Sequence, residues 1–174
     1  MQQMEKLHIR AIGYNTVIDM DLSSPHPMLR HLTLDGKLEK LPEWIPKLQN
    51  LVKLKLDNSG LKHDTMKLLK SMSNLLTLSL RYNAFEAKRL HFQDGWFKNL
   101  KELILIDLHQ VNCILIDEGA FPSLETLELH KIPRLEMLPR GIQHLKKLKD
   151  LRTPSYMHLK NKKRYQRSEC IIKD

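Results

Sequence analysis

Residues 38–51 read LEKLPEWIPKLQNL, and 97 residues further on, at 135–148, the chain reads LEMLPRGIQHLKKL, with seven of the fourteen positions identical. Each copy ends on a leucine that opens a second pattern, L-x-x-L-x-L, whose second half alternates apolar and polar residues. That pattern recurs at Leu29/Leu32/Leu34, Leu51/Leu54/Leu56, Leu75/Leu78/Leu80, Leu100/Leu103/Leu105 and Leu124/Leu127/Leu129, with looser ends at Met4/Leu7/Ile9 and Leu148/Leu151. From Met4 to Leu148 the first positions step by 25, 22, 24, 25, 24 and 24 residues. A repeat of about 20–29 residues marks a stack of units, each one short strand plus a returning segment.

Alternation at period two sends Leu54 and Leu56 to one side of a strand and Lys53, Lys55 and Asp57 to the other. Stacking the turns pairs the strands in parallel and merges the inward leucines into one core that no single repeat can bury alone. The returns space apolar residues at three and four, as in Leu41-Pro42, Ile45, Leu48 and Leu138-Pro139, Ile142, Leu145. A short helix or tight turn there packs one face inward, and the proline falls where no ladder needs its missing N–H. The same reasoning makes core of Met66, Leu68, Leu69 and Met72. The expected fold is therefore an α/β leucine-rich-repeat solenoid, a curved horseshoe with parallel strands on the concave face and irregular or short helical returns. We divide it into an irregular first repeat at 1–27, leucine-rich repeats at 28–152 and a basic C-terminal tail at 153–174.

Composition narrows the function classes. With 174 residues, 41% hydrophobic and 28% charged, the chain suits one folded domain. No stretch approaches the roughly 18 apolar residues of a membrane span. Cys113 and Cys170 form no metal-ligand spacing and no disulfide framework, so both are expected as thiols in a reducing compartment. The net charge of +9 is concentrated late, since residues 149–174 hold eight Lys/Arg against three Asp/Glu. The run Lys160, Lys162, Lys163, Arg164 and Arg167 lacks interleaved aromatics apart from Tyr165 and reads as a solvated terminus rather than a nucleic-acid contact. There is no phosphate-cradling glycine loop, no paired histidines at metal spacing and no serine-nucleophile elbow. The adjacent Asp117-Glu118 reads as a solvated acidic turn. We expect no enzyme activity, no cofactor and no metal.

The phrases MLRHLTLDGKLEKLPEWIPKLQNLVKLKL, LLTLSLRYNAF, FKNLKELIL and FPSLETLELHKIPRLEMLPRGIQHLKKLKDL resemble the leucine-rich-repeat region of plant coiled-coil-class nucleotide-binding immune receptors, over most of residues 4–152. The run Phe121–Leu129 followed by Ile132-Pro133, Leu135 and Leu138-Pro139 is the most family-specific part. The N-x-L-x-G-x-I-P return of extracellular receptor repeats is absent. Only Asn83 occupies the usual asparagine-ladder position, which Lys37, Ser59, Leu108 and Ile132 fill elsewhere, so an irregular solenoid is expected. The upstream nucleotide-binding switch of such receptors is not in this sequence, and no polar cap precedes Met4, Leu7 and Ile9, so the chain looks like a fragment, a truncated product or a stand-alone relative.

The resemblance implies a cytoplasmic protein-binding module that senses a pathogen effector or a guarded host protein and restrains a nucleotide switch. The alternative is a stand-alone intracellular scaffold with no immune role. Partners are expected to be proteins, including an upstream nucleotide-binding domain if the full-length chain has one, with no nucleic acid and no membrane span. The expected binding residues are the outward positions of the strands, Arg30, His31, Lys53, Lys55, Arg81, Lys101, Glu102, Glu125, Glu128, Lys149 and Arg152.

Overall fold

Wherever two leucines two residues apart are flanked by polar residues, the chain forms a strand of three to five residues and then turns back. A computed structural model describes residues 4–13, 16–18, 27–70 and 72–155. The strands are β1 (Lys6–Arg10), β2 (His31–Asp35), β3 (Lys53–Asp57), β4 (Thr77–Arg81), β5 (Arg89–Phe92), β6 (Glu102–Ile106), β7 (Cys113–Ile116), β8 (Thr126–His130) and β9 (Asp150–Arg152). Seven form one parallel sheet in the order β1-β2-β3-β4-β6-β8-β9, and β5 and β7 form a separate parallel pair.

The register follows the leucines. Leu7, Leu32, Leu54, Leu78, Leu103, Leu127 and Leu151 stand side by side across the sheet, as do Ile9, Leu34, Leu56, Leu80, Leu105 and Leu129 two residues on. From β2 to β8 these residues are buried to within 1% exposure, and Leu7, Ile9 and Leu151 pack against the same core from its ends. A one-residue slip would put this whole set in water, which is why the register is unambiguous.

The returns bear out the inward face expected of them. Tight 3-10 turns form at Ile45–Lys47 and Ile142–His144, with Leu41, Ile45, Leu48 and Leu145 buried. Pro42 and Pro139 use their carbonyls to accept from Ile45 and Ile142. The one α-helix among the described residues, α1 (His63–Leu69), buries Met66 and Leu69, and Met72 follows it into the core, but Leu68 is 49% exposed. That corrects the expectation for Leu68, which lies two residues from Met66 and so off the face that a three-residue step shares with Leu69.

The bends after the strands are satisfied without an asparagine ladder. Asn58, Tyr82, Asp107 and Lys131, each immediately following a strand, take left-handed backbone conformations with φ between 52° and 59°. The turned backbone then donates sideways to the next strand's end, from Gly36 to Asp57, Asn58 to Arg81, Tyr82 to Ile106 and Asp107 to His130, at 2.9–3.1 Å. Leu108 and Ile132, at ladder positions, are wholly buried, and Asn83 instead accepts from the His109 backbone and ring. An asparagine ladder does exist at the opposite edge, where the residue before the opening leucine caps the preceding return. Asn50, Asn74 and Asn99 donate to the carbonyls of Pro27, Gln49 and Ser73 at 2.6–2.8 Å.

The β5–β7 pair lies within the returns of the middle repeats. Between the two sheets sits a ring cluster in which Phe97 and Phe121 stack at 5.5 Å and Phe92 tilts onto Phe121 at 4.6 Å. Asp117, expected as a solvated turn residue, takes a 2.8 Å contact from His91 of β5, while Glu118 is exposed. Cys113 is disulfide-bonded rather than a thiol, and the expectation for Cys170 lies outside the described residues. Two widely separated cysteines carry no spacing rule that foretells this. The basic run from Lys160 to Arg167 also lies outside the described residues, as does much of the expected first repeat. No helix among the described residues is long and apolar enough to cross a membrane.

A candidate protein-binding face

Because each strand turns its leucines to the core, the alternate residues line up in three rows across the open face of the sheet. The first row runs Lys6, His31, Lys53, Thr77, Glu102, Thr126, Asp150. The second runs His8, Thr33, Lys55, Ser79, Ile104, Glu128, Arg152, and the third Arg10, Asp35, Asp57, Arg81, Ile106, His130. Of the eleven expected residues, His31, Lys53, Lys55, Arg81, Glu102, Glu128 and Arg152 stand in these rows. Arg30, Lys101, Glu125 and Lys149 fall one residue before their strands, on the leading edge of the sheet. The sequence pattern L-x-x-L leaves two residues between its leucines, and only the second belongs to the pleat.

The charges divide along the sheet. Strands β1 to β4 present Lys6, Arg10, Lys53, Lys55 and Arg81 against Asp35 and Asp57, whereas β6 to β9 present Glu102, Glu128 and Asp150 against Arg152. Many are already paired. Arg10 holds Asp35 at 2.8 Å, Lys55 holds Asp57 at 2.9 Å, and Arg152 reaches Asp150 and Glu128. On the leading edge Glu125 sits between Lys149 at 2.7 Å and Lys101 at 3.2 Å. Those two hydrogen bonds hold its carboxyl below the usual range, and Asp150 raises the Arg152 guanidinium. By contrast Lys6, Arg30 and Lys53 make no ion pair among the described residues. Their positive charge adds to burial in lowering the His31 imidazole below its ordinary value.

Two features escaped sequence reasoning. Ile104 and Ile106 of β6 occupy open-face positions and are half-buried, where the other strands carry polar groups. The apolar run LILI hides them, since a strand with apolar residues on both faces has no alternation to read. Asp57 is 4% exposed and its Oδ1 has no hydrogen-bond partner, so the Lys55 pair is its main compensation.

A repeated array with a charged open face on one side and a continuous leucine core on the other agrees with the comparisons with known proteins. A family model described as a leucine-rich repeat region matches residues 1–173. The disease resistance protein RPM1 of Arabidopsis thaliana is 32% identical over 151 residues, covering 87% of this chain and 16% of the relative. The disease resistance protein RPH8A of the same plant is 29% identical over 124 residues, covering 71% and 14%. The chain thus spans about one sixth or less of the length of these curated relatives. With the period, the parallel sheet and these matches in agreement, the chain belongs to the leucine-rich-repeat region family found in plant disease resistance proteins.

Proposed function

We propose that this chain is the protein-binding leucine-rich-repeat module of a cytoplasmic plant immune receptor. In this reading its open face and leading edge recognise a pathogen effector or a guarded host protein. The same repeats restrain a nucleotide-binding switch that lies outside the 174 residues. The observation that carries the reading is the similarity to disease resistance proteins along most of the repeat array. Physically, seven parallel strands with one leucine face leave the other face as a broad surface of independently variable side chains, suited to protein recognition. The reading assigns the chain no reaction of its own.

The test is the full-length transcript. A nucleotide-binding domain encoded upstream in the same frame is the expected result. The repeats, added in trans to that purified domain, should then slow its release of bound nucleotide. Transcripts without such a domain, or repeats that leave nucleotide release unchanged, would leave a stand-alone intracellular scaffold as the better account.

A further inference from the structure

In each strand of the large sheet after β1, the residue that opens the strand on the open face donates its N–H to the rung before it. His31 donates to Glu5, Lys53 to Arg30, Thr77 to Val52, Glu102 to Leu76, Thr126 to Lys101 and Asp150 to Glu125, at 2.9–3.1 Å. Lys6 is the register equivalent of these residues on β1, and no rung precedes β1 among the described residues. On the inner side of β1, Glu5 accepts from His31 and Ala11 donates to Asp35. Because bonding alternates along a parallel strand, the N–H and C=O groups of Lys6, His8 and Arg10 face away from β2.

The apolar rows are cut open along the same line. Leu7 and Ile9 are half-buried where their row partners from β2 to β8 are sealed, and Met4, 45% exposed, and Ile12, 94% exposed, bracket the strand. On the open face β1 carries Lys6, His8 and Arg10. The carboxylate beside them, Asp35 of β2, already accepts from Arg10 and Asn58, while Glu5 lies one residue before the strand, on the leading edge. These cations bear on which strand can be added. Pairing two copies of β1 antiparallel about His8 would set Lys6 of each opposite Arg10 of the other and His8 opposite His8, and like charges directly opposed destabilise a sheet.

We propose that the free edge of β1 takes up an extended segment of a partner protein as an added strand, one in which apolar and acidic residues alternate. The main chain of the segment bonds to Lys6, His8 and Arg10 and supplies the affinity. Its apolar side chains continue the rows that Leu7 and Ile9 begin, and its acidic ones stand beside Lys6 and His8 on the open face. A helix cannot offer main-chain groups to this edge, and a free anion would cover neither Leu7 nor Ile9. The surface is the end of the sheet, which the receptor reading leaves unused.

The probe is a fluorescein-labelled peptide GSEVEVEGS, whose EVEVE core reads the same in either strand direction, titrated against the 174-residue chain by fluorescence anisotropy. Its controls are GSKVKVKGS, GSESESEGS and the probe N-methylated throughout its core. The probe should bind at least tenfold more tightly than each control. His8→Pro removes an N–H that points away from β2, at an edge position that tolerates proline, and should weaken binding at least tenfold with the circular dichroism spectrum unchanged. Lys6→Glu with His8→Glu should weaken it at least fivefold, and Lys40→Glu, on an exposed return, should change nothing. If His8→Pro does not fold, the N-methylated peptide makes the same test of main-chain bonding. Absence of probe binding, equal binding of any control, or full binding by folded His8→Pro or by the charge-reversed chain would each overturn the proposal. So would a concentration-dependent assembly of the chain, seen by light scattering and abolished by His8→Pro, which would make a second copy the occupant. Loss of binding in the product of the full-length transcript would overturn it as well, by giving the edge to the protein's own chain. None of these results bears on nucleotide release, so the receptor reading is tested separately.

Discussion

Leu103→Ala is the substitution that most directly tests the register on which every surface assignment depends. Leu103 is fully buried at the centre of β6, between Leu78 and Leu127 on the adjoining rungs, with strands on both sides that cannot close over a void. Leu→Ala in such a site costs the transfer of the lost carbons plus a residual cavity, here about 3–5 kcal/mol. Ile104, the next residue, points to the open face and is only half-buried, so Ile104→Ala should cost about 1 kcal/mol or less. With a urea slope of about 2 kcal/mol/M, the first change lowers the unfolding midpoint by roughly 1.5–2.5 M and the second by at most about 0.5 M. Fluorescence of Trp44 and Trp96, both buried, reports both. Because a repeat array unfolds through local neighbour terms, the two variants are compared with the same probe rather than through separate extrapolations. Equal losses, or a greater loss at Ile104, would show the strand displaced by one residue and would invert every open-face assignment made above.

Lys55→Glu should lose about 1–3 kcal/mol by leaving the buried Asp57 carboxylate beside a like charge, whereas Lys53→Glu should be near neutral; equal midpoints in urea would deny that Lys55 supports the fold. Gly141→Ala should cost at least about 2 kcal/mol, because its φ of 87° is strained for a side chain and a Cβ would run into the Ile116 carbonyl oxygen; an unchanged thermal midpoint would refute that close approach. His31 has a folded-state pKa below the ordinary 6.5, through burial and through Lys6, Lys53 and Arg30, with Glu5 opposing. The unfolded chain therefore takes up a proton the folded one resists, so stability is full above about 6.5 and falls as pH drops through that value toward the folded pKa. His31→Gln should flatten this part of the stability profile, and a slope left intact would assign it to other groups. Cys113, disulfide-bonded in the structure, should alkylate only after the protein is reduced; ready labelling of unreduced native protein, read by mass spectrometry, would refute that bond.

The fold was legible because its determinant is one-dimensional. A leucine pattern stepping by 22–25 residues admits one way of burying its apolar set, and the strands and 3-10 returns follow from it. The duplicated LEKLP and LEMLP phrases do correspond to equivalent returns, each with its proline before a 3-10 turn. Seven of the eleven expected surface positions were readable from the same alternation. The remainder depended on contacts between repeats. Which of two residues inside L-x-x-L enters the pleat, and hence why Arg30 and Lys101 stand on the leading edge, is set by where the neighbouring strand begins to pair. In place of the usual asparagine ladder, left-handed residues after the strands let the backbone bond sideways, a geometry that Tyr82 adopts against its own preference. The β5–β7 pair, the burial of Asp57 and the half-buried Ile104 and Ile106 likewise arise between residues some 24 positions apart. Periodicity along the chain states which side chains need burial; only the packing of adjacent turns determines what stands beside them.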